Sequence, residues 1–228
     1  MKTSNIILIF CVFIFSLSCI NTNSEQGSSN DFEFDSSGML FEGKYIFSET
    51  ESMSTAVFIL PDSLFFILKK INDDTIWNAS TGIWRRSNGQ LLFDGGNQSR
   101  LVAKAVKQGL EVLNNAGEAV MKAEKFILEP KSIDSIKTYQ FKLTGAYSYF
   151  ADAALMRFCT TPKAIQVLPL KANIDAERAY LNADSTAEIG LFLAATARLN
   201  NTHQTESPFK FALELEEIHQ FLPLMECY

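Results

Sequence analysis

The sequence predicts a mainly β protein: a small antiparallel barrel or sandwich first, then a second β domain carrying one short helix. Three observations predict it. From Met39 to Glu129, short stretches rich in Phe, Ile and Val recur, each closed by turn residues, the pattern of an all-β domain. Asn88-Gly89 separates two such stretches, and both residues tolerate the positive φ of a tight hairpin. Near the end, Phe209, Phe211, Leu213 and Leu215 alternate with Lys210, Ala212, Glu214 and Glu216, a period of two with one buried face.

The predicted strands run over 40–47, 55–60, 63–70, 82–86, 90–93, 100–106, 110–114 and 122–128. Pro61-Asp62, Asn72-Asp73-Asp74, Gly95-Gly96 and Asn114-Asn115-Ala116-Gly117 punctuate them. Residues 130–138 are polar and open on a proline, and read as a domain linker. The second domain begins with an alternating stretch over 139–149, with further strands expected over 165–170 and 188–197. Residues 173–182 read as a helix, with Asp175 and Glu177 near the end where the helix dipole favours acids.

The first residues read as a leader. Lys2 supplies positive charge, and Ile6 to Leu17 is an uncharged apolar run. Such a run suits a secretory signal and falls short of the ~20 residues that span a bilayer. Ser16-Leu17-Ser18-Cys19 follows, which is similar to the lipobox of bacterial lipoproteins, although Ser16 stands where that motif prefers Leu. The expectation is a signal over 1–18 and a diacylglycerol and fatty acyl anchor on Cys19. Residues 19–37, rich in Asn, Ser, Glu and Asp, form a flexible tether, followed by domains over 38–130 and 139–228. Ile20, which is not the Asp of inner-membrane retention, points to the outer membrane, and the absence of a surface-export run points to its periplasmic side.

The four cysteines are Cys11, Cys19, Cys159 and Cys227. Cys11 leaves with the signal and Cys19 is acylated. In an oxidising compartment the remainder reads as one disulfide, Cys159–Cys227, against two separate free thiols. Its loop of about 69 residues corresponds to about 4 kcal/mol in loop-entropy models.

Net charge is −6, which argues against a nucleic-acid partner, since such binders need a basic face. His203 and His219 lack neighbours at metal-ligand spacing. Asp73-Asp74 and Glu216-Glu217 read as charged turns and strand ends. No Gly-x-Ser-x-Gly, Cys–His or phosphate-loop signature appears. The residues supply no sign of an enzyme, and no metal or other cofactor is expected.

Leu143-Thr-Gly-Ala-Tyr-Ser-Tyr-Phe-Ala-Asp-Ala-Ala154, then Cys159, then Glu177-Arg-Ala-Tyr-Leu181, resembles the C-terminal domain of the NlpE family of envelope lipoproteins. Looser likenesses over 41–43, 55–59, 82–84, 88–91 and 109–117 extend the resemblance to the first domain. The resemblance implies a lipocalin-like barrel followed by an OB-fold, with Cys159 and Cys227 paired. It implies a non-enzymatic sensor or adaptor, held in a membrane by its lipid, that contacts an envelope sensor kinase of Cpx type. The family's Cys-x-x-Cys is absent: Ile46, Phe47, Thr50 and Ser52 stand in its region, and Phe47 reads as a core-facing strand residue. Tyr147, Tyr149, Asp152 and Arg178 form a candidate recognition surface, with aromatic core packing as the competing reading for the tyrosines. The alternative function is a module that binds a small apolar ligand inside the first barrel.

Overall fold

Alternating side chains on short strands can bury one face only if the sheet closes or is covered, and here both happen. The computed structural model describes residues 38–222 except 47, 49, 73, 97–99, 121–124, 184–189 and 203–209. The leader, the tether, Cys19, Phe47, Asp73, His203 and Cys227 lie outside the described residues.

Among the described residues, eight strands form the first domain: β1 (Met39–Ile46), β2 (Ser52–Ile59), β3 (Leu64–Ile71), β4 (Trp77–Ser87), β5 (Gln90–Asp94), β6 (Arg100–Val106), β7 (Gly109–Leu113) and β8 (Ile127–Lys131). Each pairs antiparallel with the next, and β8 returns to β1, closing a barrel. Phe41, Ile59, Phe65, Ile67, Phe93 and Leu128 pack in one buried cluster inside it, with the rings of Phe65 and Phe93 edge to face at 5.4 Å. The interior is therefore filled by side chains. β4 pairs with β3 up to Ile83 and with β5 from there, so it turns a corner beside Gly82. A Cβ on Gly82 would stand 2.0 Å from the Asp94 carbonyl oxygen, so the close crossing needs glycine.

Among the described residues, five strands form the second domain: β9 (Gln140–Phe150), β10 (Ala153–Arg157), β11 (Ala164–Val167), β12 (Leu191–Asn201) and β13 (Phe211–Phe221). Helix α1 (Asn173–Asn182) lies between β11 and β12, over the residues predicted for it. Spatial order around the barrel is β9-β10-β11-β13-β12 and back to β9, with β11 and β13 parallel. Five strands closed in this order, with a helix after the third, make an OB-fold.

The two barrels share one sheet. Trp77 and Asn78 of β4 pair in parallel with Phe141 and Lys142 of β9. Leu40, Phe58, Phe66 and Leu68, on the outer face of the first barrel, join Tyr139, Phe141, Phe158 and Phe211 in a single buried cluster. This explains why β2 and β3 read as continuous apolar runs instead of alternating ones: both of their faces are buried.

Two expectations change. Pro130 and Lys131, read as linker, belong to β8 and pair with Phe41 and Leu40. The chain then forms a 3-10 turn over Ile133–Thr138, with Ile136 buried. β10 falls on residues where no strand was predicted. Its turn, Ala151-Asp152, takes φ of +48° and +65° without the Gly or Asn that announces such a turn.

Candidate functional site

The residues singled out by sequence converge on the β9–β10 hairpin and the helix beside it. Phe150 pairs with Ala153, so the hairpin turns on two residues, both left-handed, the geometry that matches strand twist. For an alanine that conformation costs roughly 1–2 kcal/mol. The turn projects Phe150, 84% exposed, into solvent.

Tyr147 and Tyr149 are two apart on one strand and share a face, yet their environments differ. Tyr147 is fully buried, which corrects its assignment to a recognition surface. Its hydroxyl donates to Asn173 Oδ1 at 2.8 Å, and its ring meets Tyr180 of α1 edge to face at 6.1 Å. Burial, reinforced by the negative field of Glu177, pushes its phenol up from the ordinary value. Asn173 is itself buried, so the pair fastens the first turn of α1 to β9. α1 has no side-chain N-cap, which makes this contact its anchor.

Tyr149 lies further along β9 and is half-buried. Its hydroxyl donates to Asp152 Oδ1 at 3.2 Å. Desolvation, then the carboxylates of Glu177 and Asp152, raise its phenol. Arg178 is exposed and faces Asp175 at 3.8 Å, one turn back along the helix. The structure thus gathers Tyr149, Asp152 and Glu177 in one place and gives Arg178 an acidic partner of its own. Glu177 and Phe150 were not among the candidate site residues. Glu177 stood in the Glu-Arg-Ala-Tyr-Leu stretch, and Phe150 directly before the turn. The assembled feature is a half-buried Tyr149 between the carboxylates of Asp152 and Glu177, with Phe150 exposed on the opposite face of the strand.

A second feature opens where β4 and β9 diverge beyond their two shared pairs. The cleft there, of about 510 Å³, is lined by Asn78, Thr81, Thr144, Cys159, Phe192 and His219 among others. The hydroxyls of Thr81 and Thr160 bridge its walls at 3.2 Å. His219 Nε2 shares a hydrogen bond with Thr196 Oγ1 at 2.7 Å. Cys159 lies two residues beyond the end of β10; Cys227, its predicted partner, lies outside the described residues. Among the described residues, no group of three or more His, Cys, Asp and Glu side chains could hold a metal ion. No helix among them is long and apolar enough to cross a membrane.

Residues 137–228 match the family described as the NlpE C-terminal OB domain. That region of the chain is similar to the NlpE C-terminal OB domain. The matched region starts in the 3-10 turn and takes in the whole five-stranded barrel, the hairpin and α1. Among solved structures, the Cpx pathway activator NlpE from Escherichia coli is similar over 83% of this chain and 97% of that one, at 22% identity and a TM-score of 0.37. No curated protein matches the chain by sequence. Within the NlpE-like domain, the motif residues Tyr147, Glu177 and Tyr180 are those that join strand to helix.

Proposed function

We propose that this protein is a lipid-anchored, non-enzymatic sensor or adaptor of the bacterial envelope, which presents the β9–β10 hairpin to a membrane sensor kinase of Cpx type. One observation carries the reading: the match of residues 137–228 to the NlpE C-terminal OB domain, whose β9–β10 hairpin bears an exposed Phe150 at its tip and gathers Asp152 and Glu177 at Tyr149. Exposed aromatics on rigid elements are typical anchors of protein interfaces. The leader and Cys19 supply the membrane tie, on the periplasmic side of the outer membrane. The Cys159–Cys227 disulfide ties the C-terminus to the end of β10. The state of Cys159, a disulfide-bonded sulfur, supports that pairing.

The test is an envelope-stress reporter in the native host. Wild type raises the reporter when overproduced. Cys19→Ala, which cannot be acylated, changes the response, and Phe150→Ser with Asp152→Ala lowers it while leaving protein levels unchanged. A reporter that ignores the wild-type protein sinks the signalling role. A reporter that answers equally to the hairpin variant moves the contact surface elsewhere.

A further inference from the structure

The seam between the barrels carries a second, smaller pocket, on the surface beside the point where the tether joins the body. It holds about 240 Å³, below the ~300–1,000 Å³ of small-molecule sites and suited to one side chain. Leu60 and Leu64 form one wall, from the first barrel; Ile165 and Phe211 form the other, from the second; Lys163 and Lys210, two cations against the single carboxylate of Asp62, complete its lining. The Lys163 ammonium donates to the Asp62 carbonyl, which leaves it further donors.

Gly38, the first described residue, ends at this place. It takes φ of +86° and lies so near Phe211 that an added Cβ would come 2.9 Å from the ring. The chain immediately before it reads Asp31-Phe32-Glu33-Phe34-Asp35-Ser36-Ser37. Two aromatics interleaved with three carboxylates complement an apolar pocket with two lysines in its lining. Phe34 is four residues from Gly38, a reach of at most about 14 Å, so docking needs no second molecule and gains from the high local concentration of a short tether.

We propose that the acidic-aromatic end of the tether docks in this pocket: Phe34 between Leu60, Leu64, Ile165 and Phe211, with Glu33 and Asp35 against Lys163 and Lys210. Docked, the segment bridges the two barrels and fixes the exit of the chain toward its anchor at the seam. The span between the anchor and the body then shortens to the residues before 31, and the orientation of both barrels to the membrane is set by this contact.

Photocrosslinking of the full mature chain tests it, with benzoylphenylalanine in place of Phe34 and, as control, of Asn23. The expected product is an intramolecular link from position 34 to residues 60–64, 163–165 or 210–211, well above the control. Lys163→Glu with Lys210→Glu, in a chain whose circular dichroism is unchanged, lowers the yield about five-fold, as loss of two exposed ion pairs worth ~1 kcal/mol together would. Adding Glu33→Lys with Asp35→Lys restores it. A yield no higher than the control, links mapping to other surfaces, links between isotopically distinct copies, or a yield indifferent to the charge reversals each overturns the proposal.

Discussion

Tyr147 Oη donates to Asn173 Oδ1 across 2.8 Å, and both side chains are buried. One strand residue thereby holds the first turn of a helix that has no cap of its own. Tyr147→Phe leaves the Asn173 amide buried without this partner, at a cost of about 1–3 kcal/mol. The double variant Tyr147→Phe with Asn173→Leu recovers part of that loss, because no polar group is then stranded. Chemical denaturation of the two variants and the wild type measures the coupling.

The same tyrosine, with Tyr139, makes stability fall in alkali. Burial raises the Tyr139 phenol, helped by its hydrogen bond to Glu42 at 2.9 Å; burial likewise raises that of Tyr147. In the unfolded chain both ionise near pH 10. Above that pH the unfolded state binds fewer protons than the folded one, so stability is complete below about pH 10 and declines as pH rises. The slope is up to about 1.4 kcal/mol per pH unit for each group. Tyr139→Phe is expected to shallow the alkaline arm of a denaturation series; an unchanged slope contradicts the assignment.

Gly82→Ala probes the corner of the first barrel. The new methyl would stand 2.0 Å from the Asp94 carbonyl oxygen, so backbone must move. The expected cost is about 3 kcal/mol, the upper end of overpacking changes. Thermal unfolding followed by circular dichroism reads it directly.

Ala151→Gly acts in the opposite direction. Ala151 holds φ of +48°, and glycine adopts that region without a Cβ penalty, at some cost in unfolded-chain entropy. The expected net gain is about 0.5–1 kcal/mol, seen as a higher denaturation midpoint with Phe150 still exposed.

These residues also show what could be read from the chain alone. Strands of the first barrel announced themselves by apolar stretches between turns, and α1 by the acids in its N-terminal half, Asp175 and Glu177. β10 did not, because an Ala-Asp pair carries no turn signal and its left-handed conformation is imposed by the strands around it. β2 and β3 looked like strands but not like strands with two buried faces, since only the docked second barrel covers their outer side. The candidate surface was half legible. Tyr147 and Tyr149 have the same chemistry and the same strand face; α1 packs over the first, and the second runs out toward the hairpin tip. That difference is set by where the helix lies, which sequence spacing does not encode.

The acid side of the second barrel makes a smaller claim. Lys171 Nζ lies 2.8 Å from Glu214 and 2.6 Å from Glu216, and Arg198 meets Glu216 at 2.8 Å. The hydrogen bond from Lys171, foremost, holds the Glu214 carboxyl below its ordinary value. A depressed carboxyl contributes stability above its unfolded value, lost as pH falls through the folded one. Since Lys171 is exposed, Lys171→Ala lowers stability only slightly at neutral pH, and the difference from wild type vanishes in acid denaturation.

In the proposed function, the hairpin of the NlpE-like domain meets a membrane signalling protein. Photocrosslinking in the native host from position 150, with benzoylphenylalanine in place of Phe150, tests it most directly. The expected product is a covalent adduct with an envelope sensor kinase, diminished when Asp152 and Glu177 are replaced by Lys. Capture of no kinase from position 150, in cells where the protein still activates the stress reporter, contradicts it.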